Sequence, residues 1–419
     1  MSRHFISDER QGVSAKSPRV LLIGIGGVYN YGCEAIVRGT EAIIRKEYPE
    51  ADIVYASKRP SDDQRRLEGS KVQIIQRGML SRYSVKNICR KLLSLCDIRW
   101  SPMEDSLKLL KNVDTVLSIG GDIYTLHPKG NYSLSLPKFG NAAQKRGVPY
   151  VLWGASVGPF SDNPRAEMVF ARHLKKLSLI TARESATVEY LRTLGVRDNV
   201  VPCADPAFLI ASEIKASHTQ QCNGLTIGIN LSPLSTRYTK YSLEDSIQMQ
   251  ANTIQGIIKT FNARIILIPH VVCNFNENDD DLRYLQRVKG AIEPGYQDKI
   301  KLLDSDAGFV GVKKELVKCD LVVAARMHCA INALAAHVPT ILVSYSRKAV
   351  GMCRYVYNNS DWVVSLDEFL PDNISWKVTR LIDQIEKTRG YLAKRIPEIQ
   401  QDAYRPVQIL KEMLEGRRG

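Results

Sequence analysis

The sequence predicts an α/β protein: two Rossmann-like domains facing across a cleft, followed by a C-terminal helical tail. Three observations carry that expectation. Short runs of Val, Ile and Leu alternate with longer amphipathic stretches through the first half of the chain. A polar stretch, ASEIKASHTQQCN at 211–223, breaks the rhythm, and the same alternation then resumes as far as residue 370. Nearly continuous apolar strands, each followed by a helix, indicate a parallel sheet covered on both faces. Two such sheets joined by a linker bind ligands at the carboxyl ends of their strands.

Taken in order, residues 1–18 form a polar leader without the apolar stretch of a signal peptide. The first domain, 19–210, has strands expected at Arg19–Ile25, Asp52–Ser57, Asp114–Ile119, Pro149–Gly154, Leu177–Thr181 and Asn199–Pro202. A helix is expected over Glu34–Glu47, with Ala35, Ile36, Ala42, Ile43 and Ile44 on one apolar face. Between the first strand and this helix lies GIGGVYNYGCEA, Gly24–Ala35. It departs from G-x-G-x-x-G, and Ser57, Lys58 and Arg59 stand where a ribose-binding acid would follow the second strand, so a dinucleotide site is poorly supported. The loop reads as a tight turn or as a place for an anion. Segment 77–100 sets Arg82, Lys86, Arg90, Lys91 and Arg99 among Leu, Ile and Val. A solvated helix face packed on the sheet is the first reading, with an anionic membrane surface as the alternative.

Two further strand ends carry polar groups. Ser118–Pro128, SIGGDIYTLHP, places Asp122 after Gly120 and Gly121 at the cleft edge, where the carboxylate binds a sugar hydroxyl, acts as a base or caps the next element. In TARES, Arg183 follows an apolar strand and offers a planar fork to a carboxylate or phosphate. The turn ADPAFLI gives Asp205 a structural role.

Residues 211–223 form the linker, and 224–370 the second domain, with strands at Leu225–Asn230, Arg264–Pro269, Lys299–Leu303, Leu321–Ala325, Thr340–Ser344 and Trp362–Ser365. Residues 371–419 form the tail. The most informative stretch is Asp320–Met352: Arg326 and His328 fall where a strand gives way to a helix, and Lys348 follows the next strand. An Arg, a His and a Lys converging on helix N-termini make a phosphate or carboxylate site. His270, ending RIILIPH, faces the cleft as a secondary candidate, while His337 is structural.

Lys and Arg total 58 against 44 Asp and Glu, a formal charge of +14, which favours an anionic partner. The nine cysteines are scattered and form no CxxC pair, so a reducing compartment is expected and a structural zinc site is not. The apolar passage Leu321–Tyr345 holds Arg326, His328, Asn332, His337 and Pro339, which suit a soluble site better than hydrocarbon. A cytoplasmic protein follows, with 77–100 as the one place for peripheral contact with the inner membrane face. No aromatic-basic platform suggests nucleic acid.

The order and spacing of the glycine loop with NYGCEA, the IGGD turn, WGASVGPF at Trp153–Phe160, TARES, ADPAF, the R-M-H strand end and Y-S-R-K together resemble the polysaccharide pyruvyl transferases, from about Val20 to Leu370. The resemblance implies a fold similar to the two-domain glycosyltransferase B architecture. It also implies transfer of the enolpyruvyl unit of phosphoenolpyruvate to a sugar of a surface or secreted polysaccharide, forming a pyruvate ketal. Arg183, Arg326 and His328 match positions that contact the donor, and Lys348 resembles a further anion contact. The N-terminal loop and Asp122 would lie toward the acceptor or the opposite wall, with Asn30, Gly120 and Gly121 as further substrate contacts. Many relatives have Asn-x-Gly-Asp where this chain has Asn30-Tyr31-Gly32-Cys33-Glu34.

With this donor, His328 is the expected general acid, with Asp122 or His270 as acceptor of a hydroxyl proton. Phosphoenolpyruvate is a substrate, and neither a metal nor an organic cofactor is expected. A nucleotide-sugar glycosyltransferase and a non-catalytic glycan-binding partner are the competing readings. The expected partners are phosphoenolpyruvate and a sugar or oligosaccharide acceptor, free or lipid-linked.

Overall fold

The structure, a computed structural model, describes residues 17–78, 84–95, 103, 105–126, 130–210, 224–236, 239–344 and 347–416. The expected linker, most of the leader and parts of 77–100 lie outside the described residues.

The first sheet holds β1 (Arg19–Ile23), β2 (Asp52–Ser57), β3 (Gln73–Gln76), β4 (Thr115–Ile119), β5 (Tyr150–Ala155), β6 (Leu179–Ala182) and β7 (Val200–Pro202), in the order β3-β2-β1-β4-β5-β6-β7. The second holds β8 (Thr226–Asn230), β9 (Arg264–Leu267), β10 (Ile300–Leu302), β11 (Leu321–Ala324), β12 (Thr340–Ser344) and β13 (Val363–Ser365), in the order β10-β9-β8-β11-β12-β13. All pairings between these strands are parallel. In each sheet the strand order reverses beside the first strand, between β1 and β4 and between β8 and β11. That is where an open sheet leaves a crevice at its carboxyl edge.

Strand burial explains the apolar runs. Val20 and Leu22 of β1 join Ile53 and Tyr55 of β2 in the core on one face, while Leu21 and Ile23 join Val54 and Ala56 on the other. Both faces are covered, so alternation in sequence is between two cores rather than between core and water. The apolar passage Leu321–Tyr345 contains β11, a helix at Met327–Ala335 and β12. Among the described residues, no helix is long and apolar enough to cross a membrane.

The tail is two helices, Pro371–Ile382 and Ile385–Glu415. In the second, Leu392, Ile396, Ile399 and Ala403 lie in the core of the second domain, and Val407, Leu410 and Leu414 in that of the first. Spacings of three and four keep these seven on one face, so a single helix of 31 residues, about 46 Å long, spans both domains.

The domains also meet through the loop before the first helix, Tyr31–Glu47. Tyr31 N donates to the His270 carbonyl (3.1 Å) and Val272 N to that of Tyr29 (3.1 Å). The Tyr31 hydroxyl donates to Asp306 (2.8 Å), and Glu34 accepts from Phe309 N (2.7 Å). Segment 77–100 departs from its first reading. Its described helix, Val85–Leu95, leaves Val85, Ile88 and Leu92 exposed rather than packed on the sheet.

Lys313 is 1% exposed, and its ammonium donates to the Ile210 carbonyl. Burial lowers its pKa from 10.5 to about 8. The folded state therefore binds fewer protons than the unfolded state between those values, and stability rises with pH across that window. Lys313→Met should be more stable than the unmodified protein near pH 7, by on the order of 2 kcal/mol, with the gap closing toward pH 10. Urea unfolding at pH 7, 8.5 and 10 checks this; a gap independent of pH would refute it.

Candidate active site

A cleft of about 670 Å³ separates the domains, lined by the loops after β1 and β4 on one side and after β11 and β12 on the other. Two helix N-termini face each other there: Tyr31–Glu47, capped by the Asn30 side chain on Gly32 N (3.0 Å), and Met327–Ala335, with Arg326 at its N-cap. The first N–H groups of Tyr31–Glu47 are taken up by His270 and Asn30, so it is the positive ends of the two helix dipoles that suit the cleft to an anion.

Arg183, just after β6, is 6% exposed and reaches across to the second domain. Its Nε donates to Ser156 Oγ (3.1 Å), and its Nη1 lies 2.5 Å from Asp205 Oδ2 and 3.3 Å from His328 Nε2. His328 Nε2 is itself 3.5 Å from Asp205 Oδ2. Burial alone would raise the Asp205 pKa, but Arg183 and then His328 outweigh it and hold the carboxyl well below the usual range. Burial likewise works against the Arg183 charge, and Asp205, Glu184 and Asp122 more than compensate. The result is a fixed anion between a fixed cation and an imidazole.

Two glycines make this convergence sterically feasible. A Cβ on Gly121 would stand 2.1 Å from Arg183 Nη2, and one on Gly32 would stand 2.3 Å from His328 Nδ1. Gly120, with φ +126°, turns the chain out of β4 in a conformation that L side chains rarely adopt.

Asp122 follows on that turn, with its side chain 58% exposed, and accepts from the Lys348 ammonium across the cleft. Packing of the cleft walls works to raise its pKa, but Lys348 and then Arg183 outweigh it, so the carboxyl is held low. Lys348 lies in the first turn of the helix Arg347–Tyr357. The ion pair thus ties the two walls together across the cleft mouth.

Arg326 lines the same cleft, yet its guanidinium is engaged. It donates to Asp281 Oδ1 (2.9 Å from Nη2) and Asp279 Oδ1 (2.8 Å), and its backbone N donates to Asn230 Oδ1 (2.8 Å). The fully buried Asp281 also takes the N–H groups of His270 (3.0 Å) and Val271 (3.1 Å), so Arg326 organises the loop after β9. His270 is 1% exposed at the cleft floor, and its Nε2 is buried with no hydrogen-bond partner. Burial, then the charges of His328 and Arg326, push its pKa well below 6.5, so the ring is neutral. Among the described residues, no group of three or more His, Cys, Asp or Glu is arranged to hold a metal ion.

All nine residues expected at a site therefore meet the cleft: Asn30, Gly120, Gly121, Asp122, Arg183, His270, Arg326, His328 and Lys348. Sequence reasoning missed Asp205 as a member. Its Oδ1 does make the turn, accepting from Ala207 N (2.9 Å), while Oδ2 serves Arg183. The available signal was that β6 and β7 are consecutive, so side chains just past their ends share one corner. Asp279, Asp281 and Ser156 carried no comparable signal.

The family model described as "Polysaccharide pyruvyl transferase" matches residues 30–347. Among solved structures, the chain is similar to UDP-GlcNAc 2-epimerase from Neisseria meningitidis bound to UDP-GlcNAc (15% identity, TM-score 0.57, covering 94% of this chain and 100% of that one). It is also similar to S. aureus MnaA in a co-structure with UDP (12%, 0.56, 94% and 96%) and to the glycotransferase of kitacinnamycin (10%, 0.53, 96% and 100%). At these identities the likeness establishes the fold alone, a glycosyltransferase B-like pair of parallel α/β domains.

Proposed function

The chain belongs to the polysaccharide pyruvyl transferase family, and on that premise we propose that it transfers the enolpyruvyl unit of phosphoenolpyruvate to a sugar of a polysaccharide precursor, forming a cyclic pyruvate ketal and releasing phosphate. The observation that carries the reading is the meeting of Arg183, from the first domain, with His328, from the second, 3.3 Å apart between two helix N-termini. A donor with a carboxylate and a phosphate suits that field. Lys348 is the mobile cation: on donor binding it exchanges Asp122 for a donor oxygen. Arg326, already held by two aspartates, contributes its helix N-terminus and the placement of His270.

His328 delivers a proton to the methylene carbon, and the adjacent carbon gains oxocarbenium character. One sugar hydroxyl adds there and loses its proton. The carbon–oxygen bond to phosphate then breaks, with the electron pair leaving on phosphate, and the second hydroxyl closes the ketal. Of the two hydroxyl protons, one restores the acid and one leaves with phosphate. The Asp122 carboxylate, held low in pKa, accepts a hydrogen bond well but is a weak base. His270 Nε2 offers a second partner for an acceptor hydroxyl. Fixing both hydroxyls over one carbon supplies much of the acceleration.

Thermal shift tests the reading. Phosphoenolpyruvate at a hundredfold over its dissociation constant should stabilise the protein by about 2.7 kcal/mol. Lys348→Ala should lose most of that shift, and inorganic phosphate should give less of it. A shift with UDP-sugars and none with phosphoenolpyruvate would overturn the proposal in favour of a nucleotide-sugar transferase.

A further inference from the structure

We propose that the helix Val85–Leu95 seats the protein on an anionic lipid bilayer. Val85, Ile88 and Leu92 lie at i, i+3 and i+7, on one face, and expose 76%, 47% and 57% of their surface. Cys89 on the same face is also exposed. Among the described residues, no other helix or strand makes more than marginal contact with this helix. An apolar stripe of this length left in water needs a cover.

Charge selects the cover. Lys86 and Lys91 are exposed, and at 100° per residue they fall on opposite flanks of the stripe. The helix contains no Asp or Glu, and the sequence over 78–100 has five basic residues, Arg82, Lys86, Arg90, Lys91 and Arg99, against one acidic residue, Asp97. Apolar residues flanked by lysines match the boundary between acyl chains and anionic headgroups. A second copy of this chain would instead set lysine against lysine, in a molecule already carrying +14.

The base of the segment is rigid and lies by the cleft. Arg77 and Asp105, 3% and 2% exposed, form a bidentate ion pair that joins its two ends. Arg77 Nη1 also donates to the carbonyl of Ile25, a residue of the cleft wall (3.4 Å). The inference rests on the helix and not on the reaction assigned to the cleft.

Co-sedimentation of the full chain with vesicles tests it. The protein should pellet with phosphatidylcholine mixed with phosphatidylglycerol, and far less with phosphatidylcholine alone or at high salt. Ile88→Glu with Leu92→Glu, and separately Lys86→Glu, should each weaken partition at least about tenfold. All these side chains are exposed, so melting temperature and the phosphoenolpyruvate shift should stay unchanged. Equal binding to neutral and anionic vesicles, or none to either, would overturn the proposal. So would light scattering that shows the unmodified chain as a dimer and the Ile88→Glu/Leu92→Glu variant as a monomer.

Discussion

His328→Ala is expected to lower turnover at least about a hundredfold, the smaller end of what a positioned general acid contributes. Phosphate release from phosphoenolpyruvate with an acceptor sugar present is the measurement. The fold should survive, because the Arg183–Asp205 pair persists without the imidazole. The ring's side chain is 17% exposed, so its removal opens onto the cleft rather than leaving a sealed cavity. Donor binding, read by thermal shift, should change little, since the donor's anionic groups are held by other residues. A variant that turns over normally would remove His328 from the chemistry. A variant that loses donor binding as fully as turnover would make it a binding residue instead.

Arg183→Met is expected to cost both stability and activity, through separable causes. Asp205 is 1% exposed and would be left without its cation. Breaking a buried pair on one side costs about 3–5 kcal/mol. Asp205→Asn added to Arg183→Met removes the stranded charge and keeps an oxygen for the Ala207 N–H. The double variant should recover most of the melting temperature and none of the turnover, because the donor has lost a fixed cation and His328 its neighbour. If the double variant regains activity, Arg183 serves only to neutralise Asp205. If it remains as unstable as the single variant, the guanidinium supports the fold through Ser156 or the domain contact instead.

The two predictions separate what Arg183 and His328 do, although they lie 3.3 Å apart. Residues in direct contact do not have additive effects, so single substitutions alone would not apportion the site.

The apolar runs made twelve of the thirteen strands among the described residues legible to within two residues, because strands buried on both faces carry a signal at every position. β3, Gln73–Gln76, escaped because it is an edge strand with only two apolar residues. The helix at 85–95 was also legible as amphipathic, but its apolar face pointed the reading toward the sheet, whereas the structure leaves that face exposed. Periodicity reports that a face exists and not what covers it.

The sequence by itself determined the parallel α/β layers, the strand ends at which polar residues gather, and the family, since all of these follow from short-range pattern and ordered motifs. Only the tertiary structure decided how the charges are shared. Arg326 looks as free as Arg183 in the sequence, yet it is held by Asp279 and Asp281, residues 47 and 45 positions away. Asp205 looks like a turn residue and is one, but its second oxygen belongs to Arg183 and His328, the latter in the other domain. A charged group's role depends on which counter-charge it meets after burial, and that partner is chosen by the closure of the two sheets around the cleft.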